Sequence, residues 1–220
     1  SHAAAEDSRV QLVWLHAQRG RGKSSVMAQL TKQSAWAPCT STCVLHHFFK
    51  RDDAASSLNI AAASMCVQLW QQFFKHDLET AYTLFDNCLL GSDGANLDIH
   101  ELSAALNRQS LARIIDEVFM QLLRKIDSTV AAAVSIVMQF DALDEVTHRL
   151  LQVDGPADSA DLIATAAAKF LNPHHALYSE VLGPLLAKVS VLQHVHVVIV
   201  ASSTQPWLGA ASPCIRQISV

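Results

Sequence analysis

Residues 11–30, QLVWLHAQRGRGKSSVMAQL, restrict what this chain can fold into more than any other stretch. An apolar run at 12–16 breaks into a Gly/Arg turn and then into a helix-like pattern. The turn contains Gly22-Lys23-Ser24, the closing half of a phosphate-binding loop. Physics asks for this order. A buried strand fixes the loop, backbone N–H groups ring an anion, and the following helix points its positive N-terminus at the same charge. In such a loop Lys23 reaches the β- and γ-phosphates, and the Ser24 hydroxyl ligates Mg²⁺. The full pattern is G-x-x-x-x-G-K-[ST], and Ala17 stands where its first glycine belongs. A bare G-K-[ST] arises by chance in roughly one chain in ten of this size. The strand before it and the helix after it therefore carry the assignment against the competing reading, a flexible surface turn.

The second constraint is residues 136–145, IVMQFDALDE. An apolar strand that delivers Asp141 at its C-terminal end is what a Mg²⁺-bound phosphate site requires, since that sheet edge is where the loop also lies. Asp144 is placed to orient metal-bound water, and Glu145 to polarise a water that attacks the γ-phosphate. Taken alone, the segment also fits a buried strand followed by a helix-capping acidic turn. The two motifs together favour the phosphate site.

Between and after the motifs, strands and helices alternate. Strands are expected at 12–16, 43–49, 134–140, 195–201 and 214–219. Helices are expected at 24–34, from Ser57 onward with Ile60, Met65, Leu69 and Phe73 at helical spacing, at 98–105, and at 110–126. The last carries Leu111, Ile114, Ile115, Val118, Phe119, Leu122 and Leu123 on one stripe. Further helical patterns lie at 78–90, 159–171 and 175–189. Five strands separated by helices predict an α/β fold with a parallel sheet wrapped on both faces.

Composition narrows the partners. A net charge of −4 gives no global reason to expect nucleic acid or an anionic membrane. No apolar run reaches bilayer-spanning length, and residues 1–8 lack the pattern of a signal peptide. Five cysteines, an odd number lying mostly in apolar runs, suggest buried thiols in a reducing, cytoplasmic setting. The chain begins about ten residues before its first strand and ends straight after its last, as expected for a domain, 11–220, excised from a larger protein.

The segments LVWLHAQRGRGKSS, VLHHFF, VMQFDALDE and VVIVASSTQP together resemble the NACHT branch of the STAND-type P-loop NTPases, in their nephrocystin-like and fungal NACHT flavour. The most specific piece is a small residue directly after the Mg²⁺ aspartate with a further acid beyond it, as in Asp141-Ala142-Leu143-Asp144-Glu145. The resemblance implies a three-layer P-loop NTPase whose mostly parallel five-stranded sheet is ordered 2-3-4-1-5. It further implies Mg²⁺-dependent binding of ATP, or GTP, with slow hydrolysis. Nucleotide would then switch a module that works with flanking domains and self-associates. Carried over by residue, the loop contacts are Ala17, Gly20, Arg21, Gly22, Lys23, Ser24 and Ser25. The metal ligands are Ser24, Asp141 and Asp144, and the catalytic residues are Lys23 and Glu145. Many relatives run from the sensor strand into Ser-Arg-Pro, whereas this chain has Ser203-Thr204-Gln205-Pro206 and no arginine there. With Ala17, that departure leaves a second reading open: a degenerate NTPase acting as a nucleotide-binding or protein-interaction scaffold. A small-molecule kinase is a third, disfavoured by an acidic cluster better suited to activating water than to recognising a substrate hydroxyl.

Other residues have blander readings. His46-His47 and His194-x-His196 lie in or beside expected strands. His194 and His196 share a face as an ion site would need, but no carboxylate or cysteine lies near them in sequence, and strand-edge histidines are the blander reading for all four. Trp70, Phe73 and Phe74 read as core. Trp207 fits either an adenine contact or packing against a following domain.

Overall fold

The computed structural model describes residues 10–32, 42–49, 57–74, 99–143, 181–204 and 215–219. Within them, β1 (Val10–His16), β2 (Thr42–Phe48), β3 (Val134–Asp141), β4 (Val195–Ser203) and β5 (Ile215–Ser219) form one sheet. Its order is β2-β3-β4-β1-β5, and every pairing is parallel. This is the expected order, with β4 between β1 and β3. Burial explains the placement. β3 and β4 are nearly continuous apolar runs covered on both faces, as a central parallel strand must be. Strand β2 exposes His46 and Phe48 and takes an edge.

Side-chain alternation along the strands divides the core in two. Val13, Leu15, Val44, Val137 and Val200 point to one face, where α1 (Lys23–Leu30) covers them with Val26, Met27 and Leu30. Leu12, Trp14, Leu45, Ile136, Met138 and Ile199 point the other way, into the larger core. There they meet α2 (Leu58–Phe73), a helix α4 spanning 111–129, and α5 (Gly183–Val189), while α3 (Ile99–Asn107) adds Leu106. The right-handed crossover rule gives this division. From β1 to β2 the chain crosses the sheet in one direction, and from β2 through β3 to β4 it steps back, so the connecting helices fall on opposite faces.

Helix α2 starts as expected. The Ser57 Oγ accepts the Ile60 N–H at 3.2 Å, and Trp70 packs in the core. Its outer side shields the sheet edge. The Gln68 Oε1 accepts the His46 N–H at 3.0 Å, and the Gln68 Nε2 donates to the His46 carbonyl at 2.9 Å. Gln72 Nε2 donates to the Val44 carbonyl at 3.3 Å. Two glutamines thereby occupy backbone groups that an edge strand otherwise offers to another chain.

Helix α4 corrects the expectation of a single amphipathic α-stripe. Residues Leu111–Arg113 are α-helical, Ile114–Phe119 form a π-turn, and Met120–Thr129 return to α. The Met120 N–H donates to the Ile115 carbonyl, five residues back. With ordinary α-spacing Met120 falls off the stripe. The wider turn brings it to the same side as Ile114, Val118, Leu122, Leu123 and Ile126, all of them buried. Smaller differences lie at element ends: α1 stops at Leu30, while β4 runs on to Ser203. The helical patterns at 78–90 and 159–171 lie outside the described residues, as does 175–180. Among the described residues, no helix is long and apolar enough to cross a membrane.

The base of β4 is held by one carboxylate. Asp127 accepts the N–H groups of Gln193 at 3.1 Å, His194 at 2.5 Å and Val195 at 3.0 Å. Desolvation pushes its carboxyl up, but the backbone bonds from His194, Gln193 and Val195 and the charge of His194 outweigh it, leaving Asp127 below the usual carboxylate range. A lowered folded-state pKa means stability that is present above the unfolded value and lost as pH falls through the folded one. Asp127→Asn is therefore expected to lower unfolding free energy by about 1 kcal/mol at neutral pH, discounted for partial exposure. Denaturant melts of both proteins from pH 7 into the acid limb check this: the gap should close as Asp127 protonates. A gap that does not change with pH means the carboxylate charge contributes nothing.

Candidate functional site

The carboxyl ends of β1, β3 and β4 meet at one edge of the sheet. Register sets His16 opposite Ser203, and Phe140 opposite Ala201. The chain leaves β1 at this level, and the Ala17 N–H still donates to the Ser203 carbonyl at 3.3 Å. A turn follows, closed by the Arg21 N–H on the Gln18 carbonyl at 3.3 Å. Gly20 and Gly22 hold it in shape with φ of +83° and +84°. A Cβ at either position meets nothing within 4 Å, so the requirement for glycine is conformational and not steric. Ala17 stays out of the positive-φ region and is buried, so this turn accommodates the methyl group that replaces the first glycine.

Helix α1 begins directly after Gly22, its N-cap, and no side chain caps it. Among the described residues, the first-turn N–H groups therefore have neither an i−4 carbonyl nor a capping side chain. Arg19, Arg21, Ser24 and Ser25 are exposed around this end. Lys23, the first helical residue, is buried and folds back over the loop. Its Nζ donates to the Ala17 carbonyl at 2.7 Å and to the Gln18 carbonyl at 3.2 Å. Among the described residues its acceptors are neutral carbonyls, and a charge-assisted bond to an anion is roughly twice as strong, so the ammonium is poised for exchange.

Across β4, Asp141 closes β3 and is 5% exposed. Alternation puts its side chain on the face that α1 covers, with Val137 and Gln139. Gln139 accepts weakly from the Thr31 hydroxyl at 3.4 Å, while its buried Nε2 has no partner among the described residues. The Asp141 Oδ1 accepts from the Ser202 hydroxyl and from the Ala142 N–H, the latter at 3.1 Å. The sheet edge thus gathers an uncapped helix end, a buried ammonium, an exposed serine hydroxyl and a buried carboxylate. The first two suit an anion of phosphate type. Hydroxyl and carboxylate are the hard oxygen donors that suit Mg²⁺.

Of the residues expected from sequence, Ala17, Gly20, Arg21, Gly22, Lys23, Ser24 and Ser25 lie together on this loop and helix end, and Asp141 sits two strands away on the same edge. Asp144 and Glu145 lie outside the described residues, as do Gln205, Pro206 and Trp207. Thr204 ends the β4 segment and is exposed. His47 is buried against the Phe49 ring at a centroid distance of 4.7 Å, while His46 is exposed. Motif reading assigned no role to Ser202. The available signal was a hydroxyl at the end of a buried apolar strand, where it has to find an acceptor.

Comparison with curated proteins gives no match. Residues 2–172 match the family described as Nephrocystin 3, N-terminal, a span that includes the Gly22-Lys23-Ser24 loop and Asp141 and stops before β4. That span is well over half of the chain, and the chain belongs to the nephrocystin 3 N-terminal family.

Proposed function

We propose that this domain binds a Mg²⁺-bound nucleoside triphosphate, ATP or GTP, at the loop between β1 and α1, and hydrolyses it slowly as a regulatory switch of the NACHT type. One observation supports this most. Two left-handed glycines present an uncapped helix N-terminus and a buried lysine at the same sheet edge as the Asp141 carboxylate. In open α/β sheets this edge is where ligands bind.

In this reading each group has a task. The amides at the start of α1 receive the phosphate oxygens without any reorganisation of the helix. Lys23 leaves the Ala17 and Gln18 carbonyls for the β- and γ-phosphates, exchanging neutral acceptors for charged ones. Ser24 and Asp141, with Asp144, would hold the cation. When bound, Mg²⁺ neutralises charge on the phosphate oxygens and orients them. Glu145 takes the proton of the attacking water. Nucleotide state then passes to flanking domains and to other copies of the protein.

A second reading has its own support. The sensor strand runs into Thr204 and Gln205 with no arginine to stabilise charge on the transferring phosphoryl group. That favours nucleotide binding with little turnover, as in a scaffold that keeps the fold.

Lys23→Ala should weaken binding of fluorescent ATP or GTP analogues by roughly 10- to 100-fold, the worth of a charge-assisted bond. Affinity that does not change in a folded variant means the loop holds no phosphate. Glu145→Gln should leave that affinity within about twofold while phosphate release falls to background, as expected for loss of a general base. Release that persists assigns the water to another residue. No release from the unaltered domain, with binding intact, selects the scaffold.

A further inference from the structure

Ser202 is fully buried at the end of β4, after Val197, Val198, Ile199, Val200 and Ala201. A hydroxyl in such surroundings has to be satisfied locally. It donates to the Asp141 Oδ1 and accepts the Ala142 N–H at 2.9 Å. The Ser202 carbonyl accepts the Leu143 N–H at 2.9 Å. These bonds hold Ala142 at φ 57°, and it is the one non-glycine residue with positive φ among the described residues. That conformation costs an alanine about 1–2 kcal/mol and persists only where its surroundings dictate it.

We infer that Ser202 is a positioning residue for the Asp141 carboxylate. Its only proton is directed to Oδ1, because the Ala142 N–H occupies the acceptor side of the hydroxyl. The carboxylate cannot swing freely, and Oδ2 is the oxygen left for a divalent cation or one of its waters. The cation's identity rests on the nucleotide reading above. Ser202 itself lies beyond the matched family span, 2–172, while its partners Asp141 and Ala142 lie within it. Partners that orient a metal-binding carboxylate typically govern 10–100-fold in metal affinity. Ser202 should therefore control how much Mg²⁺ strengthens nucleotide binding, and leave binding without Mg²⁺ unchanged.

The test is titration of the whole chain with a fluorescent, non-hydrolysable ATP analogue, in Mg²⁺ and in EDTA. Ser202→Ala, Ser202→Cys, Ser202→Thr and Asp141→Asn are compared with the unaltered chain, and each is melted thermally. Ser202→Ala and Ser202→Cys should lose about tenfold of the Mg²⁺ enhancement, as Asp141→Asn does, and keep the EDTA affinity. Ser202→Cys fills the same space with a weaker donor, so it keeps the fold if the alanine variant does not. Ser202→Thr retains a hydroxyl and should retain the enhancement. If Asp141→Asn abolishes the enhancement while Ser202→Ala and Ser202→Cys only lower the melting temperature, Ser202 is structural and this inference is overturned alone. If the unaltered chain binds no nucleotide in either medium, the nucleotide reading fails and this one falls with it.

Discussion

The insertion of β4 between β1 and β3 is the constraint on which the site depends. Residues 17–24 and Asp141 are separated by more than a hundred positions, and nothing local brings them together. They reach one edge because β4 pairs in parallel with both neighbours, in a register that puts Ser203 opposite His16 and Ala201 opposite Phe140. A shift of one residue would reverse which side chains of β4 face α1 and which face the larger core. Val200 and Ile199, on opposite faces, make that shift costly, since both are buried in packed clusters. The Asp127 carboxylate pins the other end of the same strand. Register is thus specified by apolar contacts along the strand and by hydrogen bonds at its base.

Much of this was legible before any coordinates. Strands buried on both faces appear as unbroken apolar runs, and those at Val134–Asp141 and Val195–Ser203 were bounded to within two residues. The order of the sheet came from motif resemblance and not from periodicity, because pairing in a parallel sheet leaves little local trace. The π-turn in α4 was not legible. Leu111, Ile114, Ile115, Val118, Phe119, Leu122 and Leu123 satisfy an α-helical stripe well, and only Met120 stands off it. Whether Met120 is turned inward depends on what α2 and the sheet present across the interface, which is a tertiary matter.

The candidate site divides in the same way. Glycines at 20 and 22 advertise left-handed turns, and the structure uses both. The substitution at Ala17 looked like a defect against the motif. Its cost depends on backbone angle, and at an angle outside the positive-φ region a methyl group is admissible. Ser202 was hidden for the opposite reason. Serine at a strand end is unremarkable in composition, and its bonding to Asp141 requires the β3–β4 pairing to be known first.

The strain at Ala142 supplies a physical reason for a small residue directly after the Asp141 carboxylate. With φ at 57°, a β-branched or bulky side chain would add a steric penalty to one that alanine already bears. In return, this conformation turns the chain back directly after Ala142, so that the Leu143 N–H reaches the Ser202 carbonyl at 2.9 Å, while the Ala142 N–H bonds the Ser202 hydroxyl and the Asp141 carboxylate. An extended residue there would carry the Leu143 N–H onward along β3 and take it from the buried Ser202 carbonyl. Leaving a buried carbonyl without that bond costs about 1–3 kcal/mol, which is comparable to the strain. The left-handed residue is thus a strain offset by the bond it permits at the end of a central strand. The same bonds that make burial tolerable also decide which carboxylate oxygen faces the crevice.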